Sequence, residues 1–309
     1  MDRLERYRGC LIGLAAGDAL GTTLEFEPPG SFEPIADMVG GGPFKLQPGE
    51  WTDDTSMALC LAESLLECKG FDPLDQLERY RRWSRSGHLS SNGRCFDIGK
   101  TVSAAIQKFE STREPFPGPT DQYSAGNGSI MRLAPIPMAY ARDPARAIEM
   151  AGQSSRTTHG ARTAIDGCRY LAALILGALR GDSKQLLLSA GYSPIQGLWE
   201  QNPLDASIAE VASGSFKAKE PPDIVGTGYV VKCLEAALWA FHITDTFEAG
   251  CLAAANLGND ADTTAAVYGE LAGAFYGLNA IPGAWRDLLA KKDLLEDFSG
   301  RLLELSETI

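Results

Sequence analysis

Two short segments of the chain concentrate carboxylates and hydroxyls. One is Trp51-Thr52-Asp53-Asp54-Thr55 and the other is Gly258-Asn259-Asp260-Ala261-Asp262-Thr263-Thr264. Each stands immediately before an apolar helical pattern, one beginning near Ser56 and the other near Thr264. A single Asp or Thr at such a place ordinarily caps the helix, and its carboxylate is favoured by the helix dipole. That explains one acid per helix. It does not explain a second acid beside it, twice, with threonines alongside. Hard cations take oxygen ligands: carboxylates, hydroxyls, carbonyls and water. The two clusters could therefore hold one or two Mg²⁺ or Mn²⁺ ions between adjacent helix starts, about 3.5–4 Å apart if carboxylates are shared. No EF-hand run with a closing Glu is present.

Two other features could bear on an anion, and one further acid stands alone. Ser124-Ala125-Gly126-Asn127-Gly128-Ser129 is a run of mostly small residues. Its backbone N–H groups could cradle an anion, or it could be an ordinary glycine turn. His159 is a lone histidine before a helical pattern, either a structural hydrogen bonder or a ligand contact. Asp97, before Ile98-Gly99, reads on its own as a turn residue.

The elements that must position these groups read as helices. Ser56–Cys68, Arg162–Leu179, Val230–Phe241, Glu248–Leu257 and Thr264–Tyr276 carry apolar residues at spacings of three and four. Alternating strand patterns of useful length are absent. Gly13, Gly17 and Gly21, and again Gly269, Gly273 and Gly277, recur every fourth residue, so each set shares one helical face. Glycine weakens an isolated helix, so close approach of another helix or a ligand is expected there. Pro28–Trp51, Pro115–Gly128 and Ser193–Gly228 read as loops. No composition break or internal repeat divides the chain. The expectation is an all-α protein, residues 1–309 forming a single compact domain with long functional loops.

Composition narrows the partners. With 28 Lys+Arg against 40 Asp+Glu the formal charge is -12. Such a chain is a poor non-specific binder of nucleic acid or anionic membrane. At 44% hydrophobic and 22% charged it has the make-up of a globular protein. The seven cysteines are irregularly spaced with no CxxC pair, and there are only three histidines. That argues against a zinc site and for reduced core thiols in a cytoplasmic protein. Arg3, Arg6 and Arg8 before an apolar run imitate a leader, but Asp18 interrupts the run and no cleavage site follows. No uncharged apolar stretch of 18 residues exists.

Read together in order, the motifs identify a relative. Gly13-Leu14-Ala15-Ala16-Gly17-Asp18-Ala19-Leu20-Gly21 with Glu25-Phe26, Thr52-Asp53-Asp54-Thr55, Asp97-Ile98-Gly99, Gly126-Asn127-Gly128-Ser129-Ile130-Met131-Arg132, Thr158-His159, and Gly258 to Thr264 with its Gly-x-x-x-Gly helix run nearly end to end. The chain resembles the ADP-ribosylglycohydrolase family, and within it the bacterial dinitrogenase-reductase-activating glycohydrolase type. The resemblance implies an all-α orthogonal helical fold with two Mg²⁺ or Mn²⁺ ions at the base of an ADP-ribose cleft. It implies Thr52, Asp53, Asp54, Asp260, Asp262 and Thr263 as metal ligands, and Glu25 and Asp97 as acids at the reacting centre. For the substrate it implies Asp97 near the ribose and Gly99 as a contact. Gly126, Asn127, Gly128 and Ser129 fall around the diphosphate, His159 beside the phosphates and Tyr229 near the adenosine, with Met131 a further substrate contact. Lys100 departs from the small polar residue expected there.

The implied activity is release of free ADP-ribose from a modified protein side chain, with arginine favoured, by a monomer. Three alternatives stay open: another ADP-ribose conjugate as substrate, on serine, a nucleic-acid end or a small molecule; a non-catalytic ADP-ribose-binding module; and a nucleotide phosphohydrolase sharing the acids. Local neutralisation of a diphosphate would fall to the metals, the loop amides, His159 and Arg132.

Overall fold

The computed structural model describes residues 1–309. Fifteen α-helices follow one another: α1 (Arg3–Gly21), α2 (Asp53–Cys68), α3 (Pro73–Ser86), α4 (Lys100–Thr112), α5 (Pro135–Ala139), α6 (Pro144–Arg156), α7 (Arg162–Arg180), α8 (Lys184–Leu187), α9 (Leu198–Gln201), α10 (Ala206–Ala212), α11 (Val230–Ile243), α12 (Phe247–Ala255), α13 (Ala261–Tyr276), α14 (Gly283–Leu288) and α15 (Lys292–Ser306). There is no sheet; two isolated β-bridges, Gly41 with Leu46 and Gly126 with Tyr229, are the only strand-like pairings. The expectation of an all-α chain holds, and the helices share one hydrophobic core.

The local signals are ordinary ones. Asp2, Asp72 and Asp143 cap α1, α3 and α6, each accepting a main-chain N–H from the first turn. Pro73 and Pro144 open their helices, where a missing N–H costs nothing. Gly87 and Gly181 end α3 and α7 in the left-handed region.

The centre of the molecule is α1 laid along α13, the most extensive helix pairing in the chain. From Gly9 to Gly21, α1 is buried on all sides. Its glycines make this possible. A Cβ on Gly17 would stand 2.0 Å from the Ala265 carbonyl oxygen, and one on Gly13 would stand 2.3 Å from that of Gly269. The fourfold glycine spacing thus serves backbone-to-backbone packing. Gly277 lies just past the end of α13, with φ +82.

Gly17→Ala is accordingly expected to destabilise the fold by about 3 kcal/mol, the upper range of overpacking, despite alanine's better helix propensity of ~1 kcal/mol. The shift in urea midpoint measures it; a midpoint at or above wild type would contradict the packing.

Two expectations need correction. α2 and α13 begin at Asp53 and Ala261, three residues earlier than the apolar pattern indicates, so the acids lie in or at the first turn. Ser193–Gly228 is not a plain loop. It holds α9, α10 and a short 3₁₀ turn at Ser215–Ala218. Ile208, Val211, Phe216 and Ile224 from it are buried in the core. Their short apolar pairs, separated by polar residues, cover α7 and α11 without a long period to reveal them. No helix is long and apolar enough to cross a membrane, and all seven cysteines are free.

Candidate active site

Three helices present their N-termini to one cleft of about 690 Å³: α2 with Asp53, α4 with Gly99 and Lys100, and α13 with Asp260 and Thr263. Partial positive charge at a helix N-terminus favours anions there. Glu25, Asp97, Gly126, Asn127, Gly128, Met131 and His159 complete the lining that concerns the chemistry.

The acids of the two motifs are not spent as caps. Neither Thr52 nor Asp260 makes a side-chain capping bond. The cap of α2 comes instead from Asp18 of α1. Its carboxylate accepts from Thr52 N (2.8 Å), Thr52 Oγ1 (2.9 Å), Thr55 N (2.9 Å) and Thr55 Oγ1 (2.7 Å). Asp53 and Asp54 are thereby released to face the α13 acids. The Thr263 hydroxyl lies 3.3 Å from Asp54 Oδ1, and the Thr52 hydroxyl 3.2 Å from Asp262 Oδ2.

The six predicted ligand residues and both predicted reacting acids are therefore brought together. Glu25, Asp97 and Asp262 have carboxylate oxygens within 4.8 Å of one another. Burial raises every one of these acids, and repulsion from neighbouring acids adds to it in all but Asp260. Glu25 is pushed up to about 10, by burial and then by Asp97 and Asp260. Asp97 is raised to about 7, chiefly by burial. Asp53, Asp54 and Asp262 lie well above the carboxylate range, and Asp260 is raised.

No Lys, Arg or His makes a salt bridge to any of these six acids. Asp54 Oδ2 and Asp262 Oδ1 are buried without any partner. Orphaned carboxylate oxygens among threonine hydroxyls are an all-oxygen, hard donor set. That chemistry fits a divalent cation such as Mg²⁺ or Mn²⁺.

The opposite wall is the Gly126–Ser129 loop. It is tied to the α13 start through Asn127 Nδ2, which donates to Asp260 Oδ2 at 2.7 Å. Asn127 N donates to Gly228 O at 3.0 Å and Val230 N to Ala125 O at 3.1 Å, so the loop pairs with the residues before α11. His159 lies under the two glycines. A Cβ at Gly126 would be 3.2 Å from its Nε2 and one at Gly128 2.8 Å from its Cε1. Only glycine lets the loop rest on the imidazole. Burial, then the charge of Arg132, lowers His159 to about 3, so the ring is neutral.

Two predicted contacts sit differently from their neighbours. The Ser129 hydroxyl is turned into the core, where Ser155 Oγ donates to it at 2.9 Å. Its main-chain N–H makes no intrachain bond. The Gly128 carbonyl accepts from Arg132 at 2.6 Å, and a planar trans peptide points the Ser129 N–H the opposite way. Tyr229 lies outside the main cleft, 42% exposed, lining an adjoining depression with Tyr123. Arg132 is fully buried behind the loop and does not reach the cleft surface.

Sequence reading missed three contributors. Asp18 is one: a lone acid in an apolar helix carries no mark of what lies opposite. Asn259 and Phe26 form another. Phe26 N donates to Asn259 O (2.6 Å) and Asn259 N to Glu27 O (2.8 Å), which sets Glu25 against α13. Phe26, Asp97 and Asn259 all have left-handed backbones, with φ +63, +58 and +54. Strain of this kind, costing ~1–3 kcal/mol per residue, gathers at functional sites. Glu270 is the third, buried on α13 and accepting from Ala134 N at 2.7 Å, where it holds the segment after the loop.

Comparison with known proteins gives a consistent result. The family model described as ADP-ribosylglycohydrolase matches residues 1–308. The chain is 40% identical over 305 residues to a Serratia proteamaculans (strain 568) protein named ADP-ribosylarginine hydrolase Tri1, covering 99% of this chain and 81% of that one. It is 31% identical over 296 residues to a Rhodospirillum rubrum glycohydrolase of ADP-ribosyl-dinitrogen reductase, covering 94% and 91%. A solved structure described as an ADP-ribosylglycohydrolase-related protein complex superposes with a TM-score of 0.86 at 43% identity, over 98% of this chain and 99% of that one.

Proposed function

The chain belongs to the ADP-ribosylglycohydrolase family, and from that premise we propose that it is a divalent-metal-dependent hydrolase that removes ADP-ribose from modified arginine side chains. The observation that carries this reading is the crowd of six buried or half-buried acids, without a cationic partner, at one wall of a cleft whose other wall is a glycine-rich loop over a neutral histidine. The arginine linkage is supported by the relatives named for it at 40% identity.

Thr52, Asp53, Asp54, Asp260, Asp262 and Thr263 would hold two Mg²⁺ or Mn²⁺ ions, with Glu25 beside them. Bound there, such ions supply Lewis-acid polarisation of ribose oxygens and a lowered pKa for a water. The chain's own residues do the rest. The main-chain N–H groups of Gly126, Gly128 and Ser129 and His159 receive the diphosphate, with the N-terminus of α4 at Gly99 close by. Met131 closes the floor against Thr263, and Tyr229 offers its ring at the adenosine end.

Asp97 and Glu25 are two neighbouring acids whose environments push their pKa values apart, the mark of a divided acid–base task. Asp97, raised to about 7, exchanges a proton near neutrality. In the reaction, water adds to the ribose C1″ as the C1″–N bond to the guanidine breaks. Asp97 takes a proton from that water and returns it to the departing guanidine nitrogen, so the arginine leaves as guanidinium and Asp97 is again a carboxylate.

Incubation with arginine- and serine-ADP-ribosylated peptides in Mg²⁺ and in Mn²⁺, with product identification by mass spectrometry, tests the reading. Free ADP-ribose and unmodified arginine are expected. Release of phosphate, or turnover of the serine peptide alone, would overturn it. ADP-ribose with metal is also expected to raise the melting temperature more than ADP does, since binding to the native state alone adds about 2.7 kcal/mol at 100 times Kd.

A further inference from the structure

Arg132 is fully buried and has no carboxylate partner anywhere in the chain. A buried charge without a counter-ion is costly, so its surroundings ask for a reason. The guanidinium stacks 4.6 Å from the Tyr80 ring centroid. It donates to Gly128 O at 2.6 Å and, through Nη2, to Thr158 Oγ1 at 2.7 Å. The same hydroxyl lies 2.9 Å from His159 Nδ1. Thr158 is itself completely buried and its hydroxyl has no other partner.

These three contacts determine where one proton sits. Arginine only donates. Thr158 Oγ1 therefore accepts from it and keeps a single hydrogen to place. If His159 carried its proton on Nδ1, that hydroxyl hydrogen would be buried without an acceptor, at a cost of roughly 1–3 kcal/mol. If Nδ1 is bare, the hydroxyl donates to it, and both the Thr158 hydroxyl and Nδ1 are satisfied. The imidazole proton then lies on Nε2, the side facing Gly126, Gly128 and the cleft.

We propose that Arg132, acting through the Thr158 hydroxyl, fixes His159 as its Nε2–H tautomer, a standing hydrogen-bond donor to an anionic phosphate oxygen in the cleft. Arg132 is thus a positioning residue that never touches substrate. The inference rests on the reading of the cleft as an ADP-ribose site for the identity of the acceptor, but not for the tautomer. The same relay disfavours imidazolium, because a proton on Nδ1 would again orphan the hydroxyl. The donor therefore stays neutral and unchanged across the physiological range.

Histidine-labelled full-length chain, with His88 and His242 assigned by substitution, allows the tautomer to be read from ¹⁵N–¹H long-range spectra. The expected pattern for His159 is a protonated Nε2 and a bare Nδ1, without titration between about pH 5 and 8. Thr158→Val keeps the shape and removes the hydroxyl. It is expected to mix the two tautomers and to weaken ADP-ribose and ADP binding about tenfold, the scale of a hydrogen bond to a charged group. Thr158→Ser is expected to recover both.

A wild-type His159 protonated on Nδ1 overturns the proposal. So does a folded Thr158→Val protein with an unchanged spectrum and unchanged affinity. If Thr158→Val does not fold, the wild-type spectrum and Thr158→Ser decide. A wild-type chain that shows the expected tautomer but fails to bind ADP-ribose removes the assigned acceptor, and the ADP-ribose reading with it.

Discussion

Asp53→Ala is expected to bring ADP-ribose release below detection while raising the melting temperature of the chelator-treated protein at pH 8. Asp260→Ala is expected to lose turnover equally. The two outcomes in Asp53→Ala come from one cause. Asp53 is buried beside Asp18, Glu25 and Asp97, each of which pushes its pKa upward after burial itself. Without a divalent cation these acids repel, and the native chain retains protons that the unfolded chain releases.

The sign of the linkage follows. Folded-state pKa values above the unfolded value of about 4 mean that νN exceeds νU as pH rises past that point. Stability is then lost progressively above about pH 4, through about 7 for Asp97 and about 10 for Glu25. Removing Asp53 removes a share of that penalty, so the variant's advantage is expected to be largest at pH 8 and to vanish near pH 4.

Divalent cation reverses the order. At pH 8, Mg²⁺ or Mn²⁺ is expected to stabilise wild type and to do little for Asp53→Ala. Even changes outside a metal's ligands commonly cost roughly 10–100-fold, so a lost ligand should cost more. Calorimetry with chelator and with Mg²⁺, and turnover on the same preparations, measure all of this. Wild-type turnover by either variant would refute the ligand assignment. Asp260 is the less clean probe of stability, because its removal also strips Asn127 Nδ2 of its acceptor.

The acids were legible in the sequence because their chemistry is local. Two carboxylates and threonines before a helical pattern, occurring twice, can be seen in a few residues. What lies across the space from them cannot. Asp18 reads as an interruption of an apolar helix, and only the packing of α1 beside α2 shows that it supplies all the caps Thr52 and Thr55 need. The Ser129 hydroxyl looks like a phosphate contact beside two glycines, yet the turn sends it toward Ser155 and leaves the main-chain N–H behind.

Apolar periodicity marks α2, α7, α11, α12 and α13 but leaves out α3, α4, α6 and α15, helices of 13 to 15 residues whose charged faces dilute the apolar pattern. α3 and α6 carry strong start signals, Asp72-Pro73 and Asp143-Pro144, which apolar spacing alone overlooks. The glycine faces were readable as close contacts, but their partner was not. Gly13 and Gly269 stand 256 residues apart, and nothing local in either stretch points to the other.

Asp97→Asn separates binding from proton transfer. Asparagine keeps the size and much of the hydrogen bonding of Asp97 but cannot take up a proton. It should also hold the left-handed backbone, since Asn is among the few non-glycine residues that tolerate φ near +58. General-base removal typically costs 10²–10⁴-fold, and kcat is expected to fall by that much. ADP-ribose affinity and metal content should stay within a few-fold of wild type, the pattern of an interaction made mainly in the transition state. The pH profile adds an independent readout. If deprotonated Asp97 is the base, wild-type kcat rises with pH, with its midpoint at or below about 7, since a bound divalent cation can only lower the value that burial raises. That limb should be absent in Asp97→Asn. The geometry also supplies the competing outcome. Asp97 shares a 4.8 Å neighbourhood with Glu25 and Asp262, so a role as ligand would show as metal content falling together with kcat. Turnover within a few-fold of wild type would remove Asp97 from the reaction and pass the proton to Glu25, the remaining acid on the cleft wall outside the two aspartate motifs.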